Sequence, residues 1–449
     1  MNAALDLVRE AVRGTAYEDD LYLVGGAVRD ELLGLPAGSD VDLVTTRPVE
    51  PLVDLLRPAS SIAPVVYERF GTAMLRIAGT PVELVRARRK SYEGASRKPQ
   101  VEPATLLEDA LRRDFTANAL MRRLSDGGLL DPTGRGLEDL HAGVLRTPLD
   151  PVETFRDDPL RMLRAVRFRW KLGFAPAPGL YEAIAGEAER LAIVSEERIR
   201  DELRKMILQP SAPDAFTDLM RLGLLDVFAG ELRPMVGCEQ GDWHHLDVWD
   251  HSLLVLRHVA PLGDEALSWA ALLHDVGKPE TCTTDAKGGT RFFGHEELGA
   301  RRASDLLRHL RFSTKEIEPV ARLVANHMRL GSFTEFSPSA ARRLLRDMGE
   351  DTDRLLTLVE ADASSLAPGV RKLDHAPIRA RLEEVASATP TETLVSPLGG
   401  REIMALTGLA AGAEVGRIKA RLTEAVLDGR LAPGDKTRAG ELVTEWTTR

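Results

Sequence analysis

Leu21-Tyr-Leu-Val-Gly-Gly-Ala-Val-Arg-Asp30, followed by Asp40-Val-Asp42, is the stretch on which the fold of this chain turns. Leu21 to Val24 is a short apolar run of the kind that forms a strand. Gly25 and Gly26 remove side chains where the backbone must turn sharply and where a phosphate would approach its amides. The residues after them suit a helix, whose N-terminus favours an anion. Asp40 and Asp42 are two apart, so on a strand they share a face while Val41 and Leu43 point into the core. Two carboxylates on one face make an oxygen-rich site suited to Mg²⁺, and paired ions clamp the attacking and leaving oxygens of an in-line phosphoryl displacement. Taken apart, Gly-Gly reads as a simple turn and Asp-x-Asp as a chance pair. The ordered whole reads as a nucleotide site, and it differs from a dinucleotide fingerprint because no Gly-x-Gly-x-x-Gly follows the first strand.

A second informative segment is Asp157-Asp-Pro-Leu-Arg-Met-Leu-Arg-Ala-Val-Arg-Phe168. Pro159 suits a first helical turn, with Asp157 and Asp158 before it as cap and dipole partners. Arg161, Arg164 and Arg167 recur at i+3 spacing beside an apolar stripe of Leu160, Leu163 and Val166. Such arginines can form an ordinary solvated face. With a nucleotide site upstream there is a second reading: a carboxylate accepts from a base amino group and a guanidinium donates to ring acceptors, so Asp158 with Arg161 can present a Watson–Crick-like edge made of protein.

These segments resemble the nucleotidyltransferase head of the DNA polymerase β superfamily and, within it, the class II tRNA nucleotidyltransferases that build the 3′ CCA end. Arg112-Arg-Asp-Phe-Thr-Ala-Asn-Ala-Leu120 is similar to that family's Arg-Arg-Asp-Phe-Thr-x-Asn-Ala motif. Asp131-Pro-Thr-Gly-Arg-Gly-Leu-Glu-Asp-Leu140 resembles its hinge segment, Asp157 to Phe168 its base-reading segment, and Ser195-Glu-Glu-Arg-Ile-Arg-Asp-Glu-Leu203 the motif that closes the neck. The likeness covers roughly the first half of the chain, with several motifs in the family's order. It implies transfer of CMP and then AMP from CTP and ATP to a tRNA 3′-hydroxyl, with release of pyrophosphate. It also implies roles: Asp40 and Asp42 for catalytic Mg²⁺, Gly25, Gly26 and Arg29 for the triphosphate, and Arg112 or Arg113 with Asn118 for sugar and phosphates. Asp158 and Arg161 would template C and A, with Arg164 and Arg167 near the phosphates or base. The chain departs from the family at Asp157, where Glu is frequent.

Between the strand Val82-Glu-Leu-Val85 and Arg112, the polar stretch Arg86 to Leu107 contains Gly94, Ser96 and Pro99 and reads as a loop. By resemblance it is the flexible loop used in switching from C to A addition, which favours full CCA addition over CC addition alone. Glu83 on the preceding strand is read either as a third carboxylate, a base for the RNA 3′-hydroxyl, or as an ordinary exposed or salt-bridged strand residue.

The chain has 449 residues, 43% of them hydrophobic, which suits three or four domains rather than one core. No apolar run is long enough to span a bilayer and no signal-peptide pattern opens the chain, so a membrane is not an expected partner. Cys238 and Cys282 alone argue against a disulfide framework and suit a reducing cytoplasm. A net charge of −10 limits any RNA footprint to local basic groups. Arg86, Arg88, Arg89 and Lys90, then Arg97 and Lys98, and the neck arginines are the candidates, with solvated loops as the other reading.

From about residue 150 the pattern turns helical, with Leu191, Ile193, Ile199, Leu203, Met206 and Ile207 as core faces and Phe216 to Phe228 as a further helix. A second set of chemical residues follows: His251, His274-Asp275, His295, His327 and Asp362. Set in Ala271-Leu-Leu-His-Asp-Val-Gly-Lys-Pro279, with Gly294-His-Glu296 and Asn326-His327 downstream, it is similar to the HD phosphohydrolase domain. Imidazoles and carboxylates suit a divalent transition metal, and an adjacent His-Asp pair allows one shared and one single-ion ligand. Some relatives with this domain hydrolyse 2′,3′-cyclic or phosphorylated ends, while in others it serves mainly RNA binding. His245 and Asp247 are assigned to the rim; His258, His309 and His375 are read as structural. In the tail, Pro397-Leu-Gly-Gly-Arg-Glu-Ile-Met404 and Val415-Gly-Arg-Ile-Lys419 offer glycines at helix starts for a phosphate, or form a plain helical cap.

The expectation is therefore a polymerase-β-like α/β head over 1–150, an all-α neck and body over 151–225, an HD domain over 226–390 and a helical tail over 391–449. Three alternatives stay open: a CC-only or A-only enzyme, a poly(A) polymerase, and a chain that is chiefly an HD phosphohydrolase.

Overall fold

The computed structural model describes residues 3–36, 38, 40–91, 100–241, 244–286, 288–330, 336–370 and 374–447. It divides into two compact units, Met1–Leu203 with Thr217–Phe228, and Arg204–Phe216 with Ala229–Arg449. The expected boundaries near 150 and 390 are finer than this division.

The first unit is built on a seven-stranded sheet in the order β3-β4-β5-β2-β1-β8-β9. Along the chain come α1 (Ala3–Val12), β1 (Tyr22–Val24), α2 (Gly26–Leu32), β2 (Val41–Thr45), α3 (Val49–Leu56), β3 (Val65–Tyr67), β4 (Thr72–Ile77) and β5 (Thr80–Arg86). β6 (Arg88–Ser91), β7 (Gln100–Pro103), α4 (Leu106–Leu111), β8 (Met121–Arg123), β9 (Leu129–Leu130) and α5 (Gly136–Ala142) follow. β2 runs parallel to β5, with Asp42 opposite Glu83, while β1 pairs antiparallel with both β2 and β8. Burial alternates as a sheet requires: Val41 and Leu43 are buried and Asp42 between them is only partly so. Tyr22, Val24, Val44, Ala87, Ala110, Ala119 and Met121 pack as one core cluster, joining the central strands to α4.

The stretch Arg86 to Leu107 is less of a loop than its polarity suggested. β6 and β7 form their own antiparallel ladder, Ser91 opposite Gln100, and α4 opens with a capping box between Thr105 and Glu108. A ladder needs backbone groups, which polar side chains do not forbid. Gly94, Ser96, Arg97, Lys98 and Pro99 lie outside the described residues.

Helices α6 (Pro151–Asp157), α7 (Leu160–Leu172), α8 (Leu180–Glu187) and α9 (Glu196–Ile207) come next. Asp157 closes α6 rather than capping α7; Pro159 stands at the N-cap of α7 with no side-chain cap, and Asp158 just before it accepts from Leu160 N at 3.3 Å through Oδ1. Ile193, expected in a core face, is 72% exposed, because Ala188–Ile193 is a 3₁₀ segment whose tighter period carries it off the face of buried Leu191. The helix expected from Phe216 to Phe228 is two, Ala212–Arg221 and Leu224–Phe228, broken at Gly223, whose φ of 74° is left-handed.

The second unit is helical. Its central helix, Glu265–Leu273, is apolar nearly all round and buried over Leu267 to Leu273, as a helix covered on every side must be. Helices Val248–Val259, Thr314–Asn326 and Thr352–Ser364 pack against it. In the tail, Glu402 occupies the start of helix Gly400–Thr407 by accepting from Gly399 N at 2.7 Å, and Gly416 lies inside helix Ala413–Leu427 rather than ahead of it. A carboxylate already on the first amide leaves the plain helical cap as the reading there.

Candidate functional site

In the first unit, β1, β2 and β5 bring their ends to a cleft of about 300 Å³ lined by Val24, Asp42, Glu83, Val85, Arg88, Arg112, Arg113, Asp114, Asp158, Leu160, Arg161, Arg164 and Arg198. Six arginines and four carboxylates share this small volume, which concentrates cationic charge in a chain of net charge −10.

Asp42 and Glu83 are register partners on parallel neighbouring strands, so their side chains leave the same face. Burial raises the pKa of Asp42, which Arg113 counters and Asp40 reinforces; burial and the charge of Asp42 raise that of Glu83. Carboxylates pushed up by burial and by a neighbouring carboxylate, as Asp42 and Glu83 are, make a donor set relieved by a divalent cation. Asp40 stands one residue ahead of β2 and is exposed. Gly25 carries φ +74° at the start of α2, and a Cβ there would meet Asp42 Oδ2 at 3.7 Å and Arg113 Nη1 at 3.8 Å. The glycine turn, the Asp42 carboxylate and a guanidinium thus border one space.

Asp158 and Arg161, expected to read the base, face the same cleft. Arg161 donates to the carbonyl oxygen of Arg112 and pairs with Asp157 at 3.3 Å, while Asp158 Oδ2 accepts from Arg198 at 2.9 Å. Arg164 Nε donates to buried Asp114 at 2.8 Å. Three of the expected nucleotide ligands, Arg29, Asn118 and Arg167, are elsewhere. Arg29 is buried, donating to Asn118 Oδ1 at 2.5 Å and Asp30 Oδ1 at 2.8 Å, and Arg167 is buried in an ion pair with Glu202 at 2.5 Å. Both guanidiniums lie against the Phe168 ring, 4.9 and 4.1 Å from its centre, with Arg164 at 5.4 Å. Asn118 passes the connection on, donating to Asp114 Oδ1 at 3.0 Å. Arg29, Asn118 and Arg167 therefore brace the cleft from behind, and none of them lines it.

The second unit gathers His251, His274, Asp275, His295, His327 and Asp362 into two groups, His251 with His274 and Asp362, and Asp275 with His295 and His327. Asp275 faces both. Its Oδ2 is 3.1 Å from His274 Nε2 and 3.9 Å from His251 Nε2; its Oδ1 is 3.4 Å from His295 Nε2 and 3.7 Å from His327 Nε2. His274, His295 and His327 each direct Nδ1 to a carbonyl three residues back, on Ala271, Phe292 and Val324, at 2.9, 2.7 and 2.7 Å. A carbonyl only accepts, so each Nδ1 carries a proton and each Nε2 is the nitrogen turned inward. His295 Nε2 and His327 Nε2 are 3.3 Å apart, and the Asp275 oxygens lack a well-formed hydrogen bond although Lys278 Nζ stands 2.7 Å from Oδ2. Buried, inward-facing imidazole nitrogens about a buried carboxylate fit a bound divalent ion. Against the cost of burial, His274 and Lys278 hold the Asp275 carboxyl well below its ordinary range.

Gly277 makes this packing possible, since a Cβ there would meet Gly299 N at 2.8 Å and the backbone of His295 closer still. Asp247 is a helix cap rather than a rim residue, accepting from Asp250 N at 2.8 Å and Gly237 N at 2.6 Å. His244 sits edge-on to His251 at 4.6 Å, and burial with the charge of Lys278 brings its pKa down to about 4.

Sequence reasoning missed Asp109, Asp114, Arg198 and His244 as parts of these sites. Asp109 stands three and four residues before Arg112 and Arg113, a helical spacing that could have found it. Asp114 and Arg198 were inside quoted motifs, and no spacing marks His244.

An acidic pair on a nucleotidyltransferase-type sheet, faced by arginines from a helical neck, defines a nucleotide-transferring enzyme of the polymerase head class. Family models agree: a poly A polymerase head domain matches 21–146, a probable RNA and SrmB-binding site of polymerase A matches 173–235, and an HD domain matches 248–367. The A-adding tRNA nucleotidyltransferase of Deinococcus radiodurans is 34% identical over 438 residues, spanning 94% of this chain and 95% of its own. The CC-adding tRNA nucleotidyltransferase of Thermus thermophilus is 35% identical over 434 residues, 94% and 92% of the two chains. The Bacillus stearothermophilus CCA-adding enzyme in complex with CTP superposes with a TM-score of 0.73 at 25% identity, covering 99% of this chain and 97% of its own. The chain belongs to the tRNA nucleotidyltransferase family. Among the described residues no helix is long and apolar enough to cross a membrane.

Proposed function

We propose that this enzyme adds CMP and then AMP, from CTP and ATP, to the 3′ end of tRNA and so completes CCA. The observation that carries the reading is one cleft in which the Asp42–Glu83 pair and the Asp158–Arg161 pair face a common space. Asp40, Asp42 and Glu83 would hold Mg²⁺, which when bound supplies charge neutralisation at the reacting oxygens. Arg112 and Arg113 meet the triphosphate and the charge that develops on departing pyrophosphate. Asp158 accepts from the exocyclic amino group that C and A share, and Arg161 donates to a ring acceptor. Arg198 holds Asp158 in place for that contact. The relatives include A-adding, CC-adding and CCA-adding enzymes.

Incubating the purified protein with a tRNA transcript that ends before CCA, with CTP, ATP or both, tests this at single-nucleotide resolution. Full CCA ends with both nucleotides, a stop after the C residues with CTP alone, and no extension by Asp42→Ala are expected. Extension by A only, or by C only, would replace the reading with the narrower enzyme. Extension by A irrespective of the RNA end would replace it with a poly(A) polymerase.

The second reading concerns the other unit, and the bridging position of Asp275 favours it. There His251, His274, Asp275, His295, His327 and Asp362 would hold a divalent transition metal pair and hydrolyse 2′,3′-cyclic or terminal phosphate on RNA ends. Hydrolysis of a 2′,3′-cyclic dinucleotide with added Mn²⁺, Ni²⁺ or Co²⁺, lowered by roughly a hundredfold in Asp275→Ala, is the expected result. No turnover with any of the three ions would leave the unit as a binding module.

A further inference from the structure

Asp109 on α4 is fully buried, yet it touches neither the sheet carboxylates nor the base-reading pair. Its Oδ1 accepts from Nε and Nη2 of Arg112 at 2.9 and 2.7 Å, and its Oδ2 accepts from Nε and Nη2 of Arg113 at 3.1 and 2.9 Å. One carboxylate can hold two guanidinium forks in this way because the arginines follow it at i+3 and i+4, on one side of the same turn. The arginine side chains keep 27% and 19% of their surface and line the cleft. With Nε and Nη2 engaged, Nη1 is the nitrogen each has left for a ligand. Arg113 Nη1 is already beside the Gly25 turn and Asp42. The carbonyl of Arg112, on the same short segment, accepts from Arg161.

Resting on the transfer reaction proposed above, we propose that Asp109 is a positioning residue: it aims Arg112 and Arg113 at the triphosphate and, through the Arg112 carbonyl, keeps Arg161 in register at the base edge. Phosphate grip and base reading are thereby referred to one buried carboxylate. A free guanidinium on a long side chain samples many rotamers, and a fork held bidentately samples few, so the gain lies in preorganisation and not in any contact of Asp109 with the nucleotide.

The test compares Asp109→Asn, Arg113→Lys and Arg113→Met with the unaltered full-length chain. Asp109→Asn is expected to lower kcat/KM for CTP and ATP by roughly ten- to a hundredfold, the scale of losing one aligned charge-stabilising donor. KM for tRNA and hydrolysis at the HD centre should stay within about twofold, which a general loss of folding would not allow. Arg113→Lys keeps the charge but cannot make the fork, and is expected to reproduce the Asp109→Asn loss. In a double-mutant cycle, Asp109→Asn added to Arg113→Met should cost less than about threefold further, because the two act as a unit. Should Asp109→Asn fail to fold, Arg113→Lys decides the matter alone. Wild-type behaviour of Arg113→Lys, or fully additive losses in the cycle, would overturn the proposal. Binding of a fluorescent CTP analogue in Ca²⁺, measured without turnover, judges Asp109 separately: a wild-type chain that extends no tRNA defeats the transfer reading, while unchanged CTP affinity in Asp109→Asn defeats this one.

Discussion

The head cleft and the HD centre both assemble carboxylates with nitrogen-bearing side chains, but they solve opposite problems. In the head the acids are partly exposed, their neighbours are arginines, and most guanidiniums are held by a second carboxylate: Asp109 for Arg112 and Arg113, Asp114 for Arg164, Asp158 for Arg198. In the HD centre the groups are almost entirely buried, the nitrogens are imidazoles fixed through Nδ1, and one lysine is the nearby fixed cation. A site that must admit, align and release a triphosphate keeps permanent cations on tethers around an open acidic pair. Imidazole nitrogens preorganised in a closed pocket suit a site that retains a metal ion. Charge alone does not separate a substrate site from a metal centre. Burial and the outer hydrogen bonds do.

That contrast predicts separable failures. The largest is Asp42→Ala, which should cut nucleotide addition by roughly a thousandfold, the equivalent of about 4 kcal/mol of transition-state stabilisation, and leave hydrolysis at the HD centre intact. Steady-state rates on both substrates check it, and a parallel loss of both activities would show the sites to be dependent. Next, Asp275→Ala should abolish tightly held transition metal, measured by elemental analysis of the purified protein, and lower hydrolysis by roughly a hundredfold while CCA addition stays unchanged. Gly25→Ala should then reduce addition by about tenfold or more, because the positive φ costs a side chain roughly 1–2 kcal/mol and relaxing it would shift the turn that borders Asp42 and Arg113. The smallest effect on catalysis belongs to Arg167→Met. Taking Arg167 from buried Glu202, which keeps Arg164 at 3.6 Å, should cost up to about 3 kcal/mol of stability, seen in chemical denaturation, while KM for CTP moves less than about threefold. A larger change in KM would return Arg167 to the nucleotide site.

Much of this was legible in order along the chain. The strand before Gly25, the acidic strand at Asp42 and the helix after Pro159 follow from local periodicity and turn chemistry, and those signals act over a few residues. Where the reading erred, a longer-range or subtler term decided. Arg167 and Arg164 have the same local sequence character, yet only Arg164 reaches the cleft, because Glu202 captures Arg167 thirty-five residues on. Asp247 looked like a rim ligand and is a cap, since the orphan amides at a helix start compete for any nearby carboxylate. Ile193 left its expected face through one tight 3₁₀ segment.

By itself, then, the sequence determined the elements, the motifs and the residue types available for chemistry, because hydrophobic period, glycine turns and caps are properties of neighbours in the chain. Only the tertiary structure decided which of those residues meet. The parallel register that sets Glu83 beside Asp42, the buried carboxylate that gathers Arg112 and Arg113, and the close backbone approach at Gly277 that lets His295 reach Asp275 all depend on packing between segments distant in sequence or on which face of a helix is covered. Those are set by the burial of whole surfaces rather than by any local preference.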